Sequence, residues 1–290
     1  MKIIILIPVY NDWQSLFKLL QNINSEVDGL NKEFSIFVVN DASTENKPQF
    51  YNNFNNLKSI KIINMKENRG HARCIAVGLK YILENENFDF VIPMDGDGED
   101  NPEEIKQFID NLNYHPDKPI VGERIKRSES IFFQFCYFIH KLITFVFSGE
   151  TIKYGNYTCL PKSIVEKMIN EKATWSSFSG SLAKIAKERA SIPSARGTRY
   201  FGPSKMNFLN LIKHSFSIIA VFKLAVVLRS TLFVIIYFFL VHQNISTIML
   251  LPIIFVIVMI ISIFIISKRE NIAEFRNSLK NILFIEELKK

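Results

Sequence analysis

The sequence predicts an α/β fold with a mostly parallel sheet, followed by interfacial helices and a C-terminal hairpin of two membrane helices. Two observations carry this reading. Over the first 125 residues, short apolar runs rich in Ile, Val and Phe alternate with helical patterns. Such alternation gives a parallel sheet with helices on both faces. Near the C-terminus, residues 246–267 read STIMLLPIIFVIVMIISIFIIS without a charge, and residues 224–241 read LAVVLRSTLFVIIYFFLV with the single charge of Arg229. The uncharged run is long enough to cross a bilayer.

The strand candidates are 2–7, 34–40, 59–64 and 88–94. Helical patterns fill 13–24, a weaker stretch after Pro48, 70–84 and 102–111, the last opening on Pro102, which suits a helix start. The opening MKIIILIPVY has a short apolar core and no small-residue cleavage site, so it reads as a buried strand rather than a signal peptide. Residues 131–147 (IFFQFCYFIHKLITFVF) form a helix with one narrow polar stripe: Gln134, Tyr137, Lys141, Thr144 and Ser148 recur at steps of three and four. Its length allows a third span. A helix lying in the cytoplasmic interface is preferred, because a span would divide the soluble region across the membrane. Residues 207–222 read as a second such helix, and 271–290 as a short amphipathic helix. The first span is expected from Ser230 to about Ile245, with Arg229 at the interface. Lys223 and Arg229 precede the pair, Lys268 and Arg269 follow it, and 242–245 carries no Lys or Arg. The positive-inside rule then puts both flanks in the cytoplasm. The expected organisation is a cytoplasmic domain over 1–223, two transmembrane helices over 224–267 and a cytoplasmic tail over 268–290.

Composition narrows the function. Hydrophobic residues are 48% and charged residues 22% of the 290, which excludes general disorder. Three cysteines without a CxxC pair argue against a disulfide framework or structural zinc, and read as reduced thiols. The net charge of +7 is unevenly spread. Residues 1–120 hold 12 Lys+Arg and 18 Asp+Glu; residues 121–290 hold 23 and 10, with no Asp after Asp117. A basic stretch beside apolar helices suits anionic lipid. Nucleic acid is disfavoured as a partner, since no nucleic-acid motif accompanies the pI near 9.2. A homo-oligomer is left open.

The polar clusters fall at the ends of the strand candidates, where ligands of parallel sheets bind. The strongest is Asp95-Gly96-Asp97-Gly98-Glu99-Asp100, with four acids in six residues. These repel one another unless neutralised, and Asp95 and Asp97 on a turn can converge on one divalent ion, Mg2+ or Mn2+, that bridges to a diphosphate. A solvated acidic loop is the alternative. Asp41 follows an apolar strand and either accepts hydrogen bonds from a base or ribose or serves as a cap or turn residue. Asp12 is either a cap for the next helix or a nucleotide contact. Asn68-Arg69-Gly70-His71-Ala72 opens a helix, whose free N–H groups suit a phosphate, although capping is the simpler role.

Together, Pro8-Val9-Tyr10-Asn11-Asp12, Val39-Asn40-Asp41-Ala42-Ser43-Thr44, Asn68-Arg69-Gly70-His71-Ala72 and Met94-Asp95-Gly96-Asp97-Gly98-Glu99-Asp100-Asn101-Pro102-Glu103 resemble the ordered signatures of family 2 glycosyltransferases with the GT-A fold. Val121-Gly122-Glu123-Arg124 with Arg127, Gly155-Asn156-Tyr157, Arg199-Tyr200-Phe201-Gly202-Pro203-Ser204-Lys205 and the two spans resemble the dolichyl- or polyprenyl-phosphate sugar synthase branch. The resemblance implies a GT-A-like nucleotide-sugar-binding domain. It implies that Asp41 contacts the base, that Pro8, Tyr10, Asp12 and Arg69 contribute to the donor pocket, and that Asp95, Asp97 and Glu99 serve the metal and diphosphate. Arg124, Arg127, Arg199, Ser204 and Lys205 would bind phosphates of donor or acceptor. Asn40, Thr158 and Met206 depart from the residues common in that branch, and they touch the acceptor side most.

The expected function is therefore an inverting, metal-dependent glycosyltransferase that moves a sugar from a nucleotide-diphosphate sugar to a polyprenyl-phosphate lipid. Sugar transfer to a hydroxyl needs a general base. A phosphate is already anionic, with a second pKa of about 6. Residues 121–223 hold no Asp and only six Glu, yet many Arg and Lys, which hold phosphate oxygens. Two alternatives stand beside this reading: extension of a lipid-linked saccharide at a hydroxyl, and a non-catalytic membrane-anchored scaffold.

Overall fold

The computed structural model of the chain describes residues 1–49, 53–126, 131–203, 208–243 and 246–289. In chain order its elements are β1 (Lys2–Val9), α1 (Trp13–Glu26), β2 (Glu33–Asn40), β3 (Ser59–Met65), α2 (His71–Asn85), β4 (Phe90–Pro93), α3 (Glu104–Leu112), β5 (Ile120–Lys126), α4 (Ile131–Ser148), β6 (Tyr154–Pro161), α5 (Lys162–Asn170), α6 (Phe178–Ile185), β7 (Ala190–Ala195), α7 (Phe208–Ala220), α8 (Lys223–Val241), α9 (Thr247–Ser267), α10 (Ile272–Arg276) and β8 (Ile282–Lys289). They group into two units: Met1–Ser128 with Lys153–Lys205 and Asn271–Lys290, and Glu129–Ile152 with Met206–Glu270. This division differs from the one expected. Residues 129–152 and 206–223 leave the first domain, and the tail joins it.

The first unit is built on one eight-stranded sheet in the order β7-β5-β6-β4-β1-β2-β3-β8. Strands β4, β1, β2 and β3 are parallel, β6 runs antiparallel to β4 and β5, and β7 runs parallel to β5. Every residue of β1 after Lys2 is buried, as a strand covered on both faces requires. Helix α1 buries Trp13, Leu16, Phe17, Leu20 and Ile23 along one face. Helix α2 packs close because Gly78 has no side chain: a Cβ there would lie 2.3 Å from Leu6 Cδ1 and 3.1 Å from Val39 Cγ2. Strand β1 has β2 on one side and β4 on the other, so the strand order reverses beside it. A crevice opens at such a point, beyond the carboxyl ends of the strands.

Two local expectations are corrected. After Pro48, residues 53–58 carry only a turn rather than a helix, and α3 starts at Glu104, with Pro102 in the turn before it. The tail differs more. Residues 271–290 contain the short α10 and then β8, which pairs antiparallel with β3 from Ile60↔Lys289 to Met65↔Ile282. The run ILFI supplies a β-forming segment, and β3 would otherwise present an unpaired edge. Phe275 of α10 is fully buried and stacks on Trp175, with ring centroids 5.4 Å apart.

In the second unit, Ile219, Ala220, Val226, Met259 and Ile263 form a core joined by Ile143, Phe147, Phe216 and Ile266. Arg229 Nη1 donates to the Val146 carbonyl at 3.3 Å near the end of α4. Its guanidinium lies against Gly149, where a Cβ would come within 2.5 Å of Nη2. Among the described residues, two helices are long and apolar enough to cross a membrane: Lys223–Val241, with mean hydropathy 2.4, and the helix beginning at Thr247, with mean hydropathy 3.3. Helix α4 joins β5 to β6, which pair with each other from Ile120↔Cys159 to Glu123↔Tyr154. Both ends of α4 thus lead into neighbouring strands of one sheet, which disfavours a single membrane crossing by this helix.

Replacing Phe275 with Ala is expected to cost about 3–5 kcal/mol, the usual loss for a buried Phe. Thermal unfolding of the detergent-purified protein checks this. An unchanged midpoint would mean that the docked tail contributes nothing to the fold.

Candidate active site

The crevice is lined by loops that follow β1, β2, β3 and β4. The first two are laced together by Asn11, which holds a positive φ of 50°. Asn11 N–H donates to Ser43 Oγ at 2.9 Å, and Asn11 Oδ1 accepts from the N–H groups of Thr44 and Glu45 at 2.8 and 3.1 Å. Asp41 is buried at the end of β2, and its carboxylate accepts from Arg69 N–H at 2.7 Å and Gly70 N–H at 2.8 Å. It therefore organises the loop that starts α2. A carboxylate has about four lone-pair sites, so two bonds leave room for another donor. The Arg69 guanidinium is taken up by Glu67 and, at 2.9 Å, by Glu274. Tyr10 is exposed at the mouth, while Pro8 is buried in β1. The Pro8 carbonyl would lie 3.0 Å from a Cβ on Gly96, so Gly96 lets the loop after β4 lie against β1.

That loop carries the acids. Asp95 Oδ1 lies 3.1 Å from His71 Nε2 and accepts from Asn156 Nδ2 at 3.2 Å. Asp97 Oδ1 accepts from Glu99 N–H at 3.0 Å, and Asp97 Oδ2 from Arg199 Nη1 at 2.8 Å. Arg199 also donates to Asp12, and Arg196 to Glu99. The backbone ties the same segments: Gly197 N–H bonds to Glu99 O at 2.8 Å and Tyr200 N–H to Asp97 O at 3.0 Å. The Tyr200 ring fills the space beside Gly98, whose φ is +88° and whose missing Cβ would meet the ring at 2.5 Å. Asn22 Nδ2 donates to the Tyr200 hydroxyl at 2.8 Å.

Electrostatics follow from this crowding. Burial opposes ionisation of Asp95, but His71, Asn156 and Arg124 outweigh it and hold the carboxyl well below the usual range. Burial also works against a charged His71, whose ring edge remains open to solvent; Asp95, aided by Asp100 and Asp97, nevertheless raises its pKa. Burial and the Asp95 charge raise Asp97. Asp100 accepts from Asp95 N–H at 2.9 Å and is pushed up to about 8 by burial and the same charge. The loop thus combines an ionised Asp95, four cationic or cation-forming partners (His71, Arg124, Arg196 and Arg199) and one carboxyl, Asp100, that keeps its proton at neutral pH.

Arg199 brings Asp12 and Asp97 together at the strand ends, while Asp95 lies against His71 and Asn156. Asp12 accepts from Arg199 and makes no side-chain cap on α1. Arg124 projects from β5 past Gly155, where a Cβ would lie 2.7 Å from Nη2, and its charge reaches Asp95 and Asp100. Arg127, Ser204 and Lys205 lie outside the described residues. No group of three or more His, Cys, Asp or Glu side chains converges on a common point among the described residues. Glu99 is held by Arg196 rather than gathered with Asp95 and Asp97. Two carboxylates, with diphosphate and water oxygens completing the shell, still match the oxygen-only ligand set of Mg2+ or Mn2+. His71, Asn156 and Asp100 stand in motifs read from the sequence but were given no role of their own there, and Arg196 was not singled out. The signal for Arg196 was charge complementarity to the acid run, and that for His71 was its place at the start of a helix facing it.

Residues 4–159 match the family model described as glycosyl transferase family 2. The chain is a family 2 glycosyltransferase. Solved structures share its GT-A fold. S. aureus TarS 1–349 in complex with UDP-GlcNAc is 16% identical, with 79% of this chain and 70% of that chain covered at a TM-score of 0.52. Glucosyl-3-phosphoglycerate synthase from Mycobacterium tuberculosis, in complex with Mn2+, UDP and glucosyl-3-phosphoglycerate, is 12% identical, with 77% and 79% covered at a TM-score of 0.53. A further structure of S. aureus TarS 1–349 is 13% identical and covers 97% of this chain and 90% of that one at a TM-score of 0.53. The glycosyltransferase uses a nucleotide-sugar donor, and the acids and arginines described above stand at the strand ends of its sheet.

Asp100 gives a pH prediction. It keeps its proton in the fold up to about pH 8 and releases it near pH 4 when unfolded. Stability in metal-free buffer therefore falls as pH rises through that window. Asp100→Asn retains an acceptor for Asp95 N–H and removes the titration. It is expected to flatten this dependence and raise the unfolding midpoint at pH 8 by ~2–4 °C, the shift of about 1 kcal/mol in a domain of this size. Unfolding scans at pH 6 and pH 8 with a chelator present test it, and an equal slope in both proteins would refute it.

Proposed function

We propose that this glycosyltransferase is an integral protein of the cytoplasmic membrane, with its catalytic unit facing the cytoplasm. It would transfer a sugar, with inversion, from a nucleoside-diphosphate sugar to a polyprenyl-phosphate-type lipid. The observation that carries the reading is the state of the acids. Asp12, Asp97 and Glu99 are each already held by an arginine from the basic half of the chain, and Asp95 by His71 and Asn156. An acceptor that brings its own negative charge needs no base and finds Arg124 and Arg199 beside the loop.

The mechanism is a single displacement. Pro8, Tyr10, Asp12, Asp41 and the backbone around Arg69 form the nucleoside side of the crevice. Asp95 and Asp97 would hold a divalent cation, whose charge stabilises the leaving diphosphate when bound. The complexes of the related folds with UDP, UDP-GlcNAc and Mn2+ favour a uridine donor and manganese for first trials. Arg124 and Arg199, with Arg127, Ser204 and Lys205, would clamp the acceptor phosphate, and an arginine can do so with two parallel hydrogen bonds. The acceptor oxygen then attacks the anomeric carbon from the face opposite the departing diphosphate. Helices α8 and α9 would form the membrane hairpin. On α4, Thr144 and Ser148 are buried while Leu142, Phe145 and Val146 are exposed, an apolar outer face that suits membrane lipids.

The test is a transfer assay on detergent-purified protein. Radiolabelled UDP- and GDP-sugars are offered with Mn2+ or Mg2+, with and without polyprenyl phosphate. Metal-dependent label in the lipid phase, present only with polyprenyl phosphate, is the expected outcome, and Asp97→Ala should reduce it by about 100-fold or more. Donor hydrolysis without a lipid product would reject the phosphate acceptor in favour of a hydroxyl on a lipid-linked saccharide.

A further inference from the structure

The tail that follows the two apolar helices in sequence is joined to the donor side of the crevice by one carboxylate. Glu274 Oε1 accepts from Arg69 Nη1 at 2.9 Å, and Oε2 accepts from Trp175 Nε1 at 3.0 Å, with Arg73 Nη2 at 3.5 Å. The group is fixed on every side. Trp175 is almost fully buried and stacks on Phe275. Arg73 lies over the Trp175 ring, 5.1 Å from its centroid. The Glu274 N–H donates to Asn271 Oδ1 at 3.0 Å, which sets the start of α10.

We propose that Glu274 is a positioning residue for the nucleotide donor, acting through Arg69 on the loop of residues 67–70 whose N–H groups orient the Asp41 carboxylate. The inference rests on the reading of Asp41 as a donor contact. Arg69 is the link, because one residue carries both connections. Its backbone N–H bonds to Asp41 at 2.7 Å, and its guanidinium is gripped by Glu274 and Glu67. Gly70, the second donor to Asp41, sits at φ +93°, a conformation with little intrinsic preference to hold the loop in place. The loop's geometry is therefore set by what grips Arg69. Glu67 is its sequence neighbour and shifts with it, whereas Glu274 is anchored to a buried indole and to a tail strand paired with β3. An exposed ion pair alone would mean little, but this carboxylate also satisfies a buried N–H, and leaving that N–H without an acceptor is costly.

A purely structural role is separable from this one. Glu274→Gln keeps an amide oxygen for the Trp175 N–H, so the tail stays docked, but it removes the charge that grips Arg69. Lys289→Ala removes ties from the tail to the carbonyls of Phe54 and Leu57, away from Asp41. Binding of UDP and GDP with Mn2+ is measured by calorimetry on the full-length proteins in detergent, beside thermal unfolding. Glu274→Gln is expected to weaken nucleotide binding about five- to tenfold with an unfolding midpoint close to wild type. Lys289→Ala should lower the midpoint and leave affinity unchanged. Arg69→Ala should also weaken binding, and the double variant should be no weaker than Arg69→Ala alone, the non-additivity of residues acting through one contact. Wild-type binding matched within twofold by Glu274→Gln, or additive losses, would overturn the positioning role. Absence of nucleotide binding to wild type would instead overturn the donor reading beneath it, and the proposal with it.

Discussion

The acid loop after β4 is the constraint around which the rest of the catalytic unit is arranged. Two like charges about 4 Å apart repel by about 4 kcal/mol at the effective dielectric of a protein surface, and a domain is stable by only about 5–15 kcal/mol in all. Asp95, Asp97, Glu99 and Asp100 can share one turn only if each is neutralised. The fold does this with His71 from the start of α2, Arg199 and Arg196 from the segment after β7, and a proton retained on Asp100. These partners come from distant parts of the chain, so the loop draws α2, β5 and the segment after β7 to one place. The glycines follow from the same demand. Gly96 clears the Pro8 carbonyl, and Gly98 clears the Tyr200 ring.

What the sequence revealed and what it hid divide along the range of the interaction. Strands β1 to β4 were legible because a strand buried on both faces reads as a continuous run of Ile, Val and Phe, a local property. The acid cluster was legible because four carboxylates in six residues demand an explanation wherever they fall. The Arg199 partner of Asp12 was not, because local reading offers a cap or a ligand contact for an Asp before a helix, and this partner lies 187 positions away. The tail was missed for the same reason. ILFIEELK suits an edge strand, but only the open edge of β3, more than 200 residues earlier, makes it one. Glu274 carried no signal at all, since its role depends on Arg69, Arg73 and Trp175 meeting in space.

The charge asymmetry takes on a second meaning in the folded chain. Read along the sequence, an acidic front and a basic back suggested two partners, a metal–nucleotide complex and an anionic lipid. In the fold, part of the basic half is already engaged by the acidic half, since Arg196 and Arg199 lie on Glu99, Asp97 and Asp12. The two readings are compatible only if these arginines serve as internal counter-charges when the crevice is empty and as phosphate ligands when it is filled. A divalent cation held by Asp95 and Asp97 would supply the positive charge that Arg199 provides otherwise, and so would free the guanidinium for an anionic acceptor.

The path of the chain limits how such an acceptor could be presented. The sheet is entered and left several times: before and after α4, before α7, and again at α10. Each excursion must return to the side from which it started, because β5 and β6 are neighbours and β8 lies on β3. If the two long apolar helices α8 and α9 cross a membrane, they make an even number of crossings between β7 and α10 and satisfy this. On the proposed membrane-bound reading, helix α4 would have no crossing to make, and its exposed Leu142, Phe145 and Val146 would lie along the membrane surface. Sequence hydropathy leaves both this arrangement and a span open, and the pairing of β5 with β6 favours the first.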